Sequence, residues 1–190
     1  MGTLIIGLAL FFVPHSVSIV APAWRDRTAA RLGEVPWKGV YSAISLIGLV
    51  LIVWGYGDAR YQPTLLYAPP EWLRHLAMLL LVPVFPLLFA AYLPGRVQQM
   101  TKHPMLVAVK LWAVAHLLVN GMLADVVLFG VFLVWAVADR ISLKRRTPRP
   151  TPALPAGRAN DAIVIGGGLV AYVVFVLWLH TWLIGVAPVG

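Results

Sequence analysis

The 190-residue chain contains no cysteine. That excludes disulfides, cysteine-ligated zinc, iron–sulfur clusters and thioether-attached c-type haem, so any metal or cofactor must be held by histidine or oxygen ligands. Charge is scarce as well. Charged residues fill 12% of the positions, against about 25% in a soluble domain, which is too few to cover a globule facing water. Acids are the rarest: seven Asp and Glu stand against fifteen Lys and Arg. A net charge of +8 in a soluble protein would raise the question of nucleic acid. Here the charges sit in short connectors without a groove-sized basic surface, so no nucleic-acid partner is expected.

What the chain has in place of charge is apolar length. Hydrophobic residues make up 61% of it, gathered in runs of about 20 residues, as a hydrocarbon core of about 30 Å requires of a helix. The fold class that follows is all-α: a polytopic membrane helix bundle of about six transmembrane helices, with the lipid bilayer as its solvent and residues 1–190 as a single domain. The runs predict spans over Gly2–Pro22, Gly39–Gly57, Trp72–Leu93, Pro104–Asn120, Met122–Ala138 and Ala162–Ala187, with a basic, Pro-rich linker at 139–161. Pro83 and Pro86 should kink the third span, and Asn120-Gly121 should turn the chain between the fourth and fifth. No basic stretch precedes the first run and no small-residue cleavage site follows it. A retained helix ending at headgroups beside Trp24, Arg25 and Arg27 is therefore expected.

Lys and Arg are unevenly placed. The connectors after spans one, three and five, with the span ends beside them, hold four, two and six of them; those after two and four hold two (counting Arg74 at the start of span three) and none, and Lys110 lies within span four. The bias predicts that both termini lie outside, in the periplasm if the membrane is a bacterial inner membrane. Gly166-Gly167-Gly168 lacks the spacing and preceding strand of a phosphate loop, and reads as a place where helices approach closely.

Five histidines are the residues most able to carry chemistry: His15, His75, His103, His116 and His180. His15, His116 and His180 fall within spans, where an ionisable side chain is costly and is by default a functional candidate. Two such histidines suit a bis-histidine haem, because helix bundles commonly hold haem between facing imidazoles. The plainer reading is that each one hydrogen-bonds a neighbouring helix. At 100° per residue, Trp112, His116, Val119 and Asn120 share a face of span four, with His103 and Lys110 nearly opposite. Lys110 either snorkels to the basic surface or pairs with a haem propionate or a buried acid. At about 1.5 Å per residue, His15 lies roughly 10 Å from the inner surface and His116 nearly 20 Å, so His180 matches His116 better in depth. The ligand pair stays open on these grounds.

The stretch His103 to Gly121, HPMLVAVKLWAVAHLLVNG, resembles the signature of the NnrU family. The segment Phe129 to Arg146, FGVFLVWAVADRISLKRR, and the Pro14-His15-Ser16 triplet extend the resemblance over most of the chain. The resemblance implies a role in bacterial denitrification, supporting the expression or function of nitrite and nitric oxide reductases. The related plant zeta-carotene isomerase is a haem b membrane enzyme that isomerises a cis double bond according to haem redox state. By that likeness haem b is the expected cofactor and His15 and His116 its axial ligands; the helix face adds Trp112 and Asn120 as neighbours, Lys110 is a candidate propionate partner, and the depth estimate leaves His180 as the alternative ligand. Ligand exchange with cysteine cannot occur in a chain without thiols.

Two other classes compete. One is a membrane assembly protein without cofactor, whose partners are other membrane proteins. The other is a His-Pro-motif membrane methyltransferase, to which the residues lend little: Asp125 and Asp139 are the only acids between Glu71 and Asp161, short of the polar lining such an enzyme needs. With so few acid and base groups in the spans, any enzymatic activity on a hydrophobic small molecule would rest on the cofactor.

Overall fold

A computed structural model describes residues 1–146 and 153–189. Residues 147–152, in the middle of the expected linker, lie outside the described part. Every regular element within it is helical: α1 (Gly2–Val20), α2 (Pro22–Leu32), α3 (Glu34–Ala59), α4 (Leu73–Leu81), α5 (Val84–Ala90), α6 (Arg96–Thr101), α7 (Pro104–Val119), α8 (Leu123–Ser142) and a C-terminal helix (Asn160–Ile184). Four stretches are long and apolar enough to cross a membrane, namely Gly2–Val20, Glu34–Ala59, Leu73–Ala90 and Asn160–Ile184, and α7 is a shorter apolar helix. This fits a multi-pass membrane protein. The helices gather into two compact units, residues 1–69 with 120–146 and residues 70–119 with 153–189.

In the first unit α1 and α3 run antiparallel with their backbones in contact, and small residues make this possible. A Cβ added at Gly7 would stand 2.6 Å from the Ile52 nitrogen, and one at Gly48 2.5 Å from that of Phe11. One at Gly55 would strike the Leu4 nitrogen. Residues without Cβ let membrane helices associate through dispersion contacts where no hydrophobic drive exists between them. Gly48 and Gly55 lie seven residues apart, hence on one face of α3.

The first unit also differs from expectation at three boundaries. The basic connector after span one contains a helix, α2, begun by Pro22 at its first turn, where a missing N–H costs nothing. Helix α3 starts at Glu34, five residues early, with Lys38 Nζ donating to Glu34 Oε2 at 2.6 Å across one turn. Helix α8 continues through Asp139 and Arg140 to Ser142, so the linker begins later than expected. A buried ion pair described below holds Asp139 in place. Before α8, Leu66 N and Tyr67 N donate to the Gly121 carbonyl at 2.8 and 3.2 Å, and Leu123 N donates to that of Thr64 at 2.8 Å. Gly121 is required there, because a Cβ would collide with the Tyr67 carbonyl oxygen.

In the second unit α4 and α5 are one apolar stretch broken ahead of Pro83, while Pro86 sits inside α5. Tyr172 Oη donates to the Met78 carbonyl at 3.0 Å, satisfying a backbone group in the turn before the break. Val84, Leu87 and Ala108 form the core between α5 and α7. The C-terminal helix meets α5 at Gly168, where a Cβ would stand 2.5 Å from the Pro86 nitrogen, and at Gly167, 3.1 Å from the Phe89 ring. Gly166 faces open space, so two of the three consecutive glycines serve close approach. Wide π-helical turns occur at Ile163–Gly167 and Phe175–Leu179, and left-handed Gly185 (φ 75°) ends the helix.

Gly48→Ala should cost about 1–3 kcal/mol by overpacking, whereas Gly57→Ala, beside open space, should be neutral or stabilising by up to ~1 kcal/mol. Thermal unfolding of the two variants in detergent, followed by circular dichroism, measures the difference.

Candidate functional site

His15 lies in α1 one residue after Pro14. Its Nδ1 is 2.6 Å from the Phe11 carbonyl oxygen. A carbonyl only accepts, so Nδ1 carries the proton, and when the ring is neutral its lone pair lies on Nε2. A backbone carbonyl commonly fixes metal-binding imidazoles in this way.

Three helices of the first unit close around that ring. The α1–α3 register pairs Leu4 with Gly55, Gly7 with Ile52 and Phe11 with Gly48, which brings His15 level with Tyr41 and Ser45 one turn further on. The Tyr41 ring is 5.0 Å from that of His15, the Phe11 ring stacks on it at 4.3 Å, and Trp135 of α8 meets it edge-on at 5.8 Å. Phe132, one turn before, packs on Phe11 and Phe12 at 5.7 and 4.8 Å. The surround is aromatic and carries unused polar atoms: Trp135 Nε1 and Ser45 Oγ are buried without a hydrogen-bond partner.

One turn beyond Trp135, Asp139 is buried and paired with Arg146 Nη2. Arg146 Nη1 donates to the Ser18 carbonyl at 3.2 Å, tying the end of α8 to the end of α1, while its Nε is buried and unpartnered. At the opposite end of α8, Asp125 is also buried. Its Oδ1 accepts from Tyr56 Oη at 2.6 Å and its Oδ2 from Met122 N at 3.0 Å, so the acid caps the helix start and holds it to α3. Tyr67 Oη, in the connector, donates to the Asn120 carbonyl at 2.8 Å. Burial, and then the nearby Asp125 charge, raise its phenol above the ordinary value.

In the second unit His116 repeats the pattern of His15: its Nδ1 is 2.8 Å from the Trp112 carbonyl oxygen, with the Trp112 ring 5.3 Å away. Lys110 is half-buried on α7 and makes no ion pair among the described residues. Helix α7 ends at Val119, so Asn120 is not on its face; it belongs to the connector bonded to Tyr67 in the first unit. His180 lies in the final turns of its helix, where Nδ1 donates to the Val186 carbonyl at 2.7 Å. The expected residues thus divide: His15 and Asn120 in one unit, Lys110, Trp112, His116 and His180 in the other. No group of three or more histidines, aspartates or glutamates suited to a metal ion occurs among the described residues.

The NnrU family, described as NnrU protein, matches this sequence over residues 3–188. The chain belongs to the NnrU family. Comparison with curated proteins and with solved structures gives no match to either. The NnrU match takes in His15, His116, His180 and the whole of α8. In this NnrU chain the site is read from its own contacts.

Those contacts add Tyr41, Ser45, Trp135, Asp139 and Arg146, which the sequence had not singled out as site residues. Only Asp139 carried a signal, as a lone acid near the end of an apolar run.

Asp139→Ala should destabilise this NnrU protein by about 3–5 kcal/mol, because Arg146 would stay buried without its counter-charge. The double variant Asp139→Ala with Arg146→Met should recover much of the loss, as thermal unfolding in detergent would show.

Proposed function

We propose that this chain is an NnrU-type bacterial inner-membrane protein of about six spans, with both termini outside, that holds haem b through histidine. His15 would hold the iron, a role its own contacts support, and the family resemblance supplies His116 as a second ligand, with His180 the alternative. Trp112 and Lys110 on the helix of His116, with nearby Asn120, belong to the same proposal.

The observation that carries the reading is the setting of the His15 imidazole: Nδ1 committed to the Phe11 carbonyl, which in the neutral ring leaves the lone pair on Nε2, within an aromatic surround. Neutral imidazole is the donor that a b-type haem takes. Trp135 Nε1 and Arg146 Nε, buried and unpartnered in the same unit, are donors of the kind haem carboxylates accept. Against the reading of His15 as a plain interhelical fastener, its Nδ1 bonds a carbonyl of its own helix.

When bound, haem would supply a redox-active iron, the chemistry both nitrogen-oxide metabolism and redox-dependent cis–trans isomerisation require. The chain's own part is to orient the imidazole through Phe11, to exclude water with Phe11, Tyr41, Phe132 and Trp135, and to keep a positive charge at Arg146. The reading places the protein in nitrogen-oxide metabolism, in support of nitrite and nitric oxide reduction, with redox-dependent carotenoid-type cis–trans isomerisation as the second reading.

A reduced-minus-oxidised absorption spectrum of the detergent-purified protein, with a pyridine haemochrome assay, tests this. A b-type signal is expected, reduced at least about tenfold in His15→Ala and His116→Ala at unchanged helix content, since each removes an iron ligand. Absence of haem after expression with haem precursor supplied, or an undiminished signal in both variants, would overturn the reading.

A further inference from the structure

The second unit contains a cleft of about 410 Å³, between the connector leading into α6 and the segment entering the C-terminal helix. Its walls are fastened to each other. Leu154 N donates to the Tyr92 carbonyl at 2.8 Å, and Asn160 Nδ2 donates to the carbonyls of Pro94 and Pro155 at 2.8 and 3.1 Å. The Asp161 carboxylate accepts from Arg96 N and Val97 N at 3.0 and 3.2 Å. It lies so close to Gly95 that a Cβ there would collide with it. The single acid of the cleft is thus already occupied by backbone donors.

Two arginines, Arg96 and Arg158, line the same cleft. Neither has a carboxylate partner among the described residues. With two cations against one satisfied anion, the cleft is net positive, and guanidinium matches phosphate oxygens in pairs. Apolar surface adjoins it. Tyr92 and Leu154, joined by their backbone bond, are 48% and 58% exposed, and Met100 of α6 is 83% exposed. The cleft also lies beside the ends of two apolar stretches long enough to cross a bilayer.

We propose that this cleft binds the headgroup of an anionic phospholipid, with Arg96 and Arg158 holding its phosphate. Tyr92, Met100 and Leu154 lie against the acyl chains, and Gln99, which also lines the cleft, meets the polar end of the headgroup. The apolar neighbours favour a lipid over free phosphate, and basic pockets beside membrane helices are a recognised means of holding acidic lipids. The proposal is independent of any haem.

The test uses the delipidated full chain in detergent, offered phosphatidylglycerol or phosphatidylcholine of equal chain length, with retained lipid counted by native mass spectrometry. Retention of phosphatidylglycerol over phosphatidylcholine by about tenfold or more is expected from two arginines near the surface. The preference should vanish in Arg96→Gln with Arg158→Gln, a variant of two exposed side chains whose helix content circular dichroism checks. Millimolar inorganic phosphate should leave the lipid in place. Equal retention of both lipids by the wild-type chain, or an unchanged preference in the double variant, would overturn the proposal. Complete displacement by inorganic phosphate would also overturn it, in favour of a free-phosphate site.

Discussion

The closeness of α1 and α3 at Gly7, Gly48 and Gly55 is the contact on which the first unit depends. Within a bilayer, apolar side chains gain nothing by leaving lipid for one another, so helices are held by close packing and internal hydrogen bonds. Backbone contact at three glycines fixes the register of the pair, and the register sets His15 against Tyr41 one turn beyond the last close approach. A single larger side chain in that seam would part the helices and carry the imidazole away from its surround.

Helix α8 is tied to this pair at both of its ends by acids that would otherwise be costly in the membrane. Asp125 meets Tyr56 of α3 and the start of its own helix, and Asp139 meets Arg146, which reaches the Ser18 carbonyl at the end of α1. Between these ties lie Phe132 and Trp135, the aromatic side chains that α8 brings to His15 and its neighbours. These two buried acids are thus structural fasteners that hold an apolar wall. Around His15, among the described residues, the buried donors without a partner are Trp135 Nε1, Ser45 Oγ and Arg146 Nε.

Much of the fold was legible because lipid imposes one strong rule: apolar length marks a helix, and charge or proline marks its limit. Gly2–Val20 and the break ahead of Pro83 follow from it. The rule fails where a helix has another source of stability. Helix α2 is polar and buries only Ala29, so no apolar run announced it. Helix α8 outlasts its apolar run because Asp139 has Arg146 as a partner, and α3 gains a turn through Glu34 and Lys38. The site divides in the same way. An intramembrane histidine stands out in any sequence, so His15 and His116 were visible. Tyr41, Ser45 and Trp135 gain meaning only from the α1–α3 register and the placement of α8. The seven-residue spacing of Gly48 and Gly55 was the one trace of that register in the sequence.

The central claim is that the fold presents His15 as a proton donor at Nδ1 and a free lone pair at Nε2. Nitrogen-15 magnetic resonance of the haem-free protein, labelled at histidine and assigned through His15→Gln, reads the tautomer directly. The account predicts that the His15 signal is that of a neutral ring with protonated Nδ1 and unprotonated Nε2. A proton on Nε2 would contradict it, because the ring would then have no lone pair at that nitrogen to offer a metal.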